Sequence, residues 1–370
     1  MIHNIIPIVG AFALSTLCGI IFIPALLNFC KKKKLYDMPN QRKIHKCLVP
    51  RLGGIAFLPS MLLSFFIVTL LMGSEAQGAK LQVSTWSLGL LISLLLIYSV
   101  GIVDDLIGLY AKIKFAIQIL AACILPLCGL YINNLYGLFG LHEIPYYIGF
   151  PLTVFLLVFV DNAMNLIDGI DGLSASLSIL ALLGTFVCFA NYSMTPYCIL
   201  IAGLVGVLLA YLYFNIWGNP DKNRKIFMGD AGSLTLGFVL GFLFVKSIMN
   251  DPQILPPSLT RVVLAYSLLI VPTFDVARVI IHRLRCKLPL FDADKSHIHH
   301  KLMATGMNQH QALISILALQ IIFIVVNMLI FWLIAADITL IFCIDVVAYT
   351  LFHILLTAHI KNSKKPALAQ

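Results

Sequence analysis

The chain reads as an all-α, polytopic integral membrane protein of about eleven transmembrane helices, with its N-terminus outside and its C-terminus in the cytoplasm. Three observations predict this. Of 370 residues, 60% are hydrophobic and only 11% charged, where a soluble domain carries about 25% charged residues. The apolar residues fall in long, even runs of the length that crosses a bilayer as helix, too long and too uniform for membrane strands. Finally, the basic residues collect in alternate gaps between those runs.

In chain order the runs cover roughly 5–29, 52–72, 85–103, 113–131, 147–165, 173–190, 196–214, 232–250, 260–281, 312–335 and 338–358. They leave no room for a separate soluble domain, so residues 1–370 are read as one transmembrane unit with cytoplasmic active-site loops. The first run is followed by Lys31–Lys34 and no small-residue cleavage site, which marks a retained helix and not a signal peptide. The nine Cys are scattered without a C-x-x-C pair, so neither disulfides nor a zinc ribbon is expected. No internal repeat is visible.

The chain has 25 Lys and Arg against 16 Asp and Glu. Such an excess can signal nucleic acid, but here its placement is topological. All but Lys80, Lys246 and Arg261 lie in or beside the gaps at 31–51, 112–114, 222–225, 278–301 and 361–365, the gaps on one face. Positive charge marks the cytoplasmic side. The carboxylates point to the same face. Asp104, Asp105, Asp161, Asp168, Asp171, Asp230 and Asp275 sit at or near its span ends, whereas Glu75, Glu143, Asp251 and Asp337 lie towards the other. A charge at the centre of a bilayer costs about 2.5–3.5 kcal/mol on insertion scales, so this gathering calls for a chemical reason.

Five clusters carry it. In Val100-Gly-Ile-Val-Asp-Asp-Leu-Ile-Gly-Leu109 the adjacent Asp104 and Asp105 repel, and a cation or the nearby Lys112 or Lys114 would relieve that. They project about 100° apart on a helix, so one could hold a metal or orient a group while the other acts as base. The bland account is a solvated cap on the third span. In Asn162-Ala-Met-Asn-Leu-Ile-Asp-Gly-Ile-Asp-Gly-Leu173, Asn162, Asn165, Asp168 and Asp171 recur every three residues. Gly169 and Gly172 end the helix and let backbone approach a ligand, and oxygen donors together suit a hard cation such as Mg²⁺. A plain turn would also favour Asn, Asp and Gly. In Phe227-Met-Gly-Asp-Ala-Gly-Ser-Leu234, Asp230 could cap the eighth span, bind metal, or both. The loop ending Asp294-Lys-Ser-His-Ile-His-His-Lys301 offers His297, His299 and His300, with Arg283, Arg285 and Lys301, to a phosphate or diphosphate. A transition-metal site is the rival reading, although no Cys or H-E-x-x-H pattern accompanies it. Last, Arg42-Lys-Ile-His-Lys, containing His45, and Pro50-Arg-Leu-Gly-Gly54, containing Arg51, add positive charge. Gly53 and Gly54 there are expected to leave N–H groups open to an anion.

These blocks, in this order, resemble the polyprenyl-phosphate N-acetylhexosamine-1-phosphate transferase superfamily over about Arg42 to Leu302. Within it, His-Ile-His-His and the Arg42–Gly54 stretch are similar to bacterial UDP-GlcNAc:undecaprenyl-phosphate GlcNAc-1-phosphate transferases, which start O-antigen, enterobacterial common antigen or teichoic acid assembly. The peptidoglycan relative, phospho-MurNAc-pentapeptide translocase, typically has an uninterrupted His triplet. The resemblance implies a Mg²⁺ cofactor, with Mn²⁺ as a substitute, and Asp230 as its main ligand with Asn165 close by. It puts Asp104 and Asp105 at the polyprenyl phosphate, one of them as base, and Lys114 on a phosphate. It also lines the nucleotide pocket with Asp168 and Asp171, and the diphosphate side with His297, His299 and His300. Asp161 departs from the pattern. The implied partners are a UDP-sugar, undecaprenyl phosphate and the bilayer, with no nucleic acid. A homodimer is compatible with the reading, and the plasma (inner) membrane is the implied location.

The chemistry suits the residues. A phosphate monoester attacks the β-phosphorus of a UDP-sugar and expels UMP, which joins two anions and needs cations to neutralise them. The donor could instead be another UDP-N-acetylhexosamine or UDP-MurNAc-pentapeptide. A secondary transporter would place its ionisable groups near the bilayer midplane on broken helices, whereas these crowd one face. Single-cysteine accessibility labelling on a Cys-free background should find Ser296 inside and Ser74 outside. Both on one side would break the parity on which the single-face site rests.

Overall fold

The computed structural model describes residues 2–36, 48–75, 84–251, 255–289, 296–334 and 336–363. The Arg42–Lys46 stretch with its His45, and Asp294 with Lys295, lie outside them. Thirteen helices are present among the described residues: α1 Ile2–Lys33, α2 Phe57–Glu75, α3 Thr85–Ile107, α4 Ala111–Leu127, α5 Tyr146–Ile167, α6 Leu173–Asn191, α7 Thr195–Ile216, α8 Asp230–Ile248, α9 Leu259–Ser267, α10 Ile270–Arg285, α11 Ile298–Met303, α12 Gln309–Ile334 and α13 Ile338–Ser363. Nine are long and apolar enough to cross a membrane, or ten if the bent pair α9–α10 is one broken span. The all-α polytopic class stands.

Two expected spans take a different form. The fourth is α4, a helix of only 17 residues that ends where the chain turns through Gly129 at φ +91°. The ninth is broken, with α9 and α10 meeting at 60°. Pro272 lies in the first turn of α10 and has no N–H to continue the ladder. The backbone groups freed at the break find side-chain partners, as they must away from water. Gln320 of α12 donates to the Ser267 carbonyl at 2.6 Å and accepts from the Val271 N–H at 3.0 Å. Asn327 then joins Ser267 Oγ to the buried Asp345 of α13, at 3.0 and 2.9 Å.

One element was not expected. Between α4 and α5 the chain forms a short antiparallel hairpin, β1 Asn134–Leu138 and β2 Leu141–Glu143. Thr339 at the start of α13 accepts from the Phe139 N–H at 2.9 Å and ties it down.

The centre of the molecule is α8. It is wrapped by α3, α5, α6 and α9, and nearly all its side chains are buried, whereas α1, α12 and α13 expose long apolar faces. Exposed Tyr110 and Trp217 mark one end of the bundle, and Tyr147 and Trp332 the other, as aromatic residues do at the two interfaces of a bilayer. Two of the three basic residues assigned to the far face are internal. The Lys246 ammonium lies 4.6 Å from the Trp86 ring centre, and Arg261 donates to the Ser247 carbonyl at 2.6 Å. The N-terminus of α8 faces the opposite end, among the acidic clusters.

Candidate active site

The site is built on the entry to α8. The chain reaches it through Gly229, whose φ of +74° suits glycine. A Cβ there would collide with the Arg51 carbonyl and the Asp105 carboxylate. The segment preceding it is held by the Pro50–Gly54 stretch. Phe227 N–H donates to the Pro50 carbonyl at 2.7 Å, while Gly53 and Gly54 donate to the Phe227 and Met228 carbonyls at 2.9 and 2.8 Å. This corrects the expected anion site at Gly53 and Gly54: both N–H groups are already used. A Cβ on Gly54 would also strike the backbone of Gly232, so the two segments touch through bare backbone.

Asp230 is not the cap of α8. Gly229 holds that position, without a side-chain capping bond, and the orphaned N–H groups of α8 find their acceptor on another helix. Asp105 of α3 accepts from Asp230 N–H on one carboxylate oxygen and from Ala231 N–H on the other, each at 2.9 Å. Negative charge at a helix N-terminus is favoured by the aligned peptide dipoles. Arg51 completes this joint, donating to the Asp105 carbonyl at 3.1 Å with its guanidinium 3.8 Å from the carboxylate.

Freed from capping, Asp230 turns its carboxylate to the chemistry side. Lys114 of α4 lies between two carboxylates, 2.8 Å from Asp230 Oδ2 and 3.1 Å from Asp104 Oδ2. Asn165 of α5 donates to Asp230 Oδ1 and to Ser233 Oγ, each at 2.8 Å. Asp104 also accepts from the Leu109 N–H. The two acidic neighbours therefore divide, Asp105 inwards onto backbone and Asp104 towards the lysine.

Helix α5 stops at Ile167, and the chain turns through residues 168–172 before α6. Asn215 at the end of α7 holds that turn, accepting from Gly172 N–H at 2.6 Å and donating to the Ile226 carbonyl at 2.9 Å. Asp171 pairs with Lys225 at 2.6 Å. Burial of the Asp168 carboxyl, with the charges of Asp230, Asp171 and Asp105 around it, pushes its pKa up to about 8. It therefore carries a proton at neutral pH and can donate a hydrogen bond.

The histidines arrive from α10 and α11. Asp275, fully buried on α10, takes His297 Nδ1 at 2.8 Å, Ile298 N–H at 3.1 Å and Arg278 at 2.9 Å. Arg278 also binds the Ser296 carbonyl. This anchor sets His299 against Gly169, where a Cβ would overlap its ring, and stacks it 5.9 Å from His297, with the tilted His300 ring 4.2 Å away. Burial, then the neighbouring His300 and His297, hold the His299 pKa down at about 3, so its ring is neutral. Asp275, Arg278, Asn215, Gln118 and Ser233 were not singled out for any role from sequence. The in-span acid three residues before Arg278 was the one legible signal.

The donors suit a hard divalent cation. Asp104 and Asp230 face each other across an ammonium that already occupies a cation's place, and Asn165 presents an amide that rotation would turn from nitrogen to oxygen. Among the described residues, no three His, Cys, Asp or Glu side chains form a ligand cluster. A cation here would complete its shell with phosphate and water, as Mg²⁺ commonly does.

Comparison with known proteins bears on what such a site does. The profile of glycosyl transferase family 4 matches residues 87–248, the stretch from α3 through α8. The chain is similar to a probable undecaprenyl-phosphate N-acetylglucosaminyl 1-phosphate transferase of Bacillus subtilis (strain 168), 32% identical over 87% of this chain and 84% of that protein. It is also similar to the undecaprenyl-phosphate alpha-N-acetylglucosaminyl 1-phosphate transferases of Escherichia coli (strain K12), 30% identical over 77% and 74%, and Yersinia pestis, 28% identical over 76% and 73%.

Two measurements check this geometry. Asp105→Asn leaves one acceptor where two N–H groups need one each, and should destabilise the detergent-solubilised protein by about 1–3 kcal/mol. Asp104→Asn should melt close to the parent, and equal losses from both would undo the division of roles. Asp168 is protonated in the folded protein and ionised in the unfolded chain between about pH 4 and pH 8. Its contribution is therefore complete below that window and lost as pH rises through about 8. Asp168→Asn should flatten that part of the thermal-stability profile, and an unchanged slope would place the proton elsewhere.

Proposed function

The chain belongs to glycosyl transferase family 4, and on that premise we propose that it transfers GlcNAc-1-phosphate from UDP-GlcNAc to undecaprenyl phosphate, releasing UMP at the cytoplasmic face of the plasma membrane. The product would start a cell-envelope polysaccharide.

The observation that carries the reading is a knot of acidic groups at the end of α8. Among the described residues, Asp104, Asp105 and Asp230 meet there with Lys114 and Arg51 beside them. Those two cations are already engaged by the acids, which leaves the place little positive charge to spare for a phosphate. A lipid phosphate and a nucleotide diphosphate can share it only with further positive charge, and Mg²⁺, held by Asp230 with Asn165 beside it, would supply it as a Lewis acid on phosphoryl oxygen.

The reaction balances without an enzyme-bound intermediate. An oxygen of the lipid phosphate bonds to the β-phosphorus, the bond from that phosphorus to the bridging oxygen breaks, and UMP leaves with the electron pair. The sugar–phosphate bond is untouched. Asp104 is the better placed of the two acidic neighbours to accept the proton of a lipid phosphate monoanion, because Asp105 is occupied by backbone. Lys114 neutralises phosphate charge once it leaves the carboxylates. The neutral His299 ring, Asp168 with its proton and the Lys225–Asp171 pair line the remaining side, where the diphosphate and nucleotide would lie. Positioning and electrostatics do most of the work in phosphoryl transfer.

Purified protein incubated with undecaprenyl phosphate, Mg²⁺ and a panel of UDP-sugars should release UMP fastest with UDP-GlcNAc. Chelation should stop it and Mn²⁺ should restore it. Asp230→Asn should lower kcat by about 100-fold or more, the scale of losing a principal electrostatic group. Release with UDP-MurNAc-pentapeptide but not UDP-GlcNAc would replace the donor, and no release with any sugar nucleotide would overturn the reading.

A further inference from the structure

One buried acid has no part in the chemistry above. Asp161 is fully buried on α5, one helical turn before Asn165. Gln118 is buried on α4, one turn after Lys114. Gln118 Nε2 donates to Asp161 Oδ2 at 3.0 Å, and Asn162 Nδ2 donates to Gln118 Oε1 at 3.0 Å. Each residue that grips Asp230 thus has, one turn deeper on its own helix, a side chain bonded to the other helix. On the third side Gly237 of α8 leaves space: a Cβ there would strike the Asp161 backbone. The second oxygen, Asp161 Oδ1, has no hydrogen-bond partner among the described residues.

A polar group this deep is costly unless it secures something. The arrangement resists both sliding and rotation. Helix neighbours at i and i+4 share a face, so a bond between Gln118 and Asp161 fixes the height and facing of Lys114 relative to Asn165. Without it, α4 would be set against α5 at this depth by the single Asn162–Gln118 bond and apolar surfaces, with the Tyr146 hydroxyl on the Pro126 carbonyl far off at the other end, and that leaves room for small shifts. A displacement of about 1 Å at reacting groups is enough to cost a hundredfold in rate.

We propose that Asp161 is a positioning residue: through Gln118 it locks α4 against α5, so that Lys114 and Asn165 reach Asp230 together. The lock works by hydrogen bonding and needs no charge. It deepens the transferase reading above and rests on it for its kinetic readout.

The test compares Asp161→Leu, Asp161→Asn, Gln118→Leu and the double Leu variant. Leucine keeps the forked shape at Cγ and suits the membrane interior, whereas asparagine keeps an acceptor for Gln118. Asp161→Leu should lower kcat about 10- to 100-fold with little change in KM for UDP-GlcNAc. Asp161→Asn should restore most of the rate, and the double variant should be no worse than either single one. A second readout needs no turnover. With Lys114→Cys and Asn165→Cys on a Cys-free background, a short bifunctional thiol reagent should cross-link α4 to α5. Asp161→Leu should slow that reaction several-fold, and Asp161→Asn should not.

Cross-linking unaffected by Asp161→Leu, additive losses in the double variant, or Asp161→Asn as impaired as Asp161→Leu would each overturn the lock. If the parent protein releases no UMP while cross-linking still depends on Asp161, the lock stands and the transferase reading falls.

Discussion

The structure depends on one joint, the Asp105 carboxylate on the first two N–H groups of α8. A helix N-terminus leaves its leading N–H groups without partners, and here that end is packed inside a bundle. An ordinary cap would come from the residue before the helix. Gly229 cannot provide one, because its left-handed backbone and the crowding around it exclude a side chain. The cap is therefore imported from α3, which fastens α3 to α8 at the depth of the site. The same exchange frees Asp230 from local duty, so its carboxylate can face Lys114 and Asn165.

On the proposed transferase reading, the remaining polar residues divide between holding and reacting. Gly53 and Gly54 hold the segment before α8, Asn215 holds the turn before α6, and Asp275 with Arg278 holds the histidine loop. Each satisfies backbone groups that would otherwise be stranded among helix ends, where an unpaired group costs about 1–3 kcal/mol. Asp104, Asp230, Lys114, Asp168 and His299 instead carry unusual charge or protonation at the mouth of the bundle. Like charges about 4 Å apart repel by about 4 kcal/mol even at an effective dielectric of about 20, so such a group persists only where neighbours fix it. The dense holding network is the counterpart of that strain.

Much of this was legible in the sequence, and the rest was hidden for definite reasons. Apolar run length located the helices because a bilayer imposes that length. The end of α5 was readable from Gly169 and Gly172. The break in the ninth span was signalled by Pro272 but masked by an otherwise continuous apolar run, since hydropathy does not see a hydrogen-bond ladder. Asp230 looked like a cap because Asp before an apolar run commonly is one; only the three-dimensional approach of α3 shows that Asp105 does this instead. Gly53 and Gly54 looked open because their partners, the Phe227 and Met228 carbonyls, are far away in sequence. Gln118 and Asn215 were invisible for the same reason. A single amide side chain in a span announces polarity but not its partner.

That asymmetry has a physical origin. Residues that meet a substrate must keep particular chemistry in particular order, and such order shows up as motif. Residues that hold the scaffold need only satisfy a donor or acceptor across a helix interface, and many side chains at many positions can do so. The helix ends where α3, α4, α5 and α8 converge illustrate both kinds. Asp104, Lys114, Asn165 and Asp230 stand in recognisable blocks, while Gln118 and Asp161 lie one turn below them without a motif between them. In a membrane the lower layer cannot borrow water to satisfy its polar groups, so it must be complete within the protein. The interior spacing of polar side chains, one helical turn beneath each reacting residue, is therefore the place to look for the positioning layer of such a site.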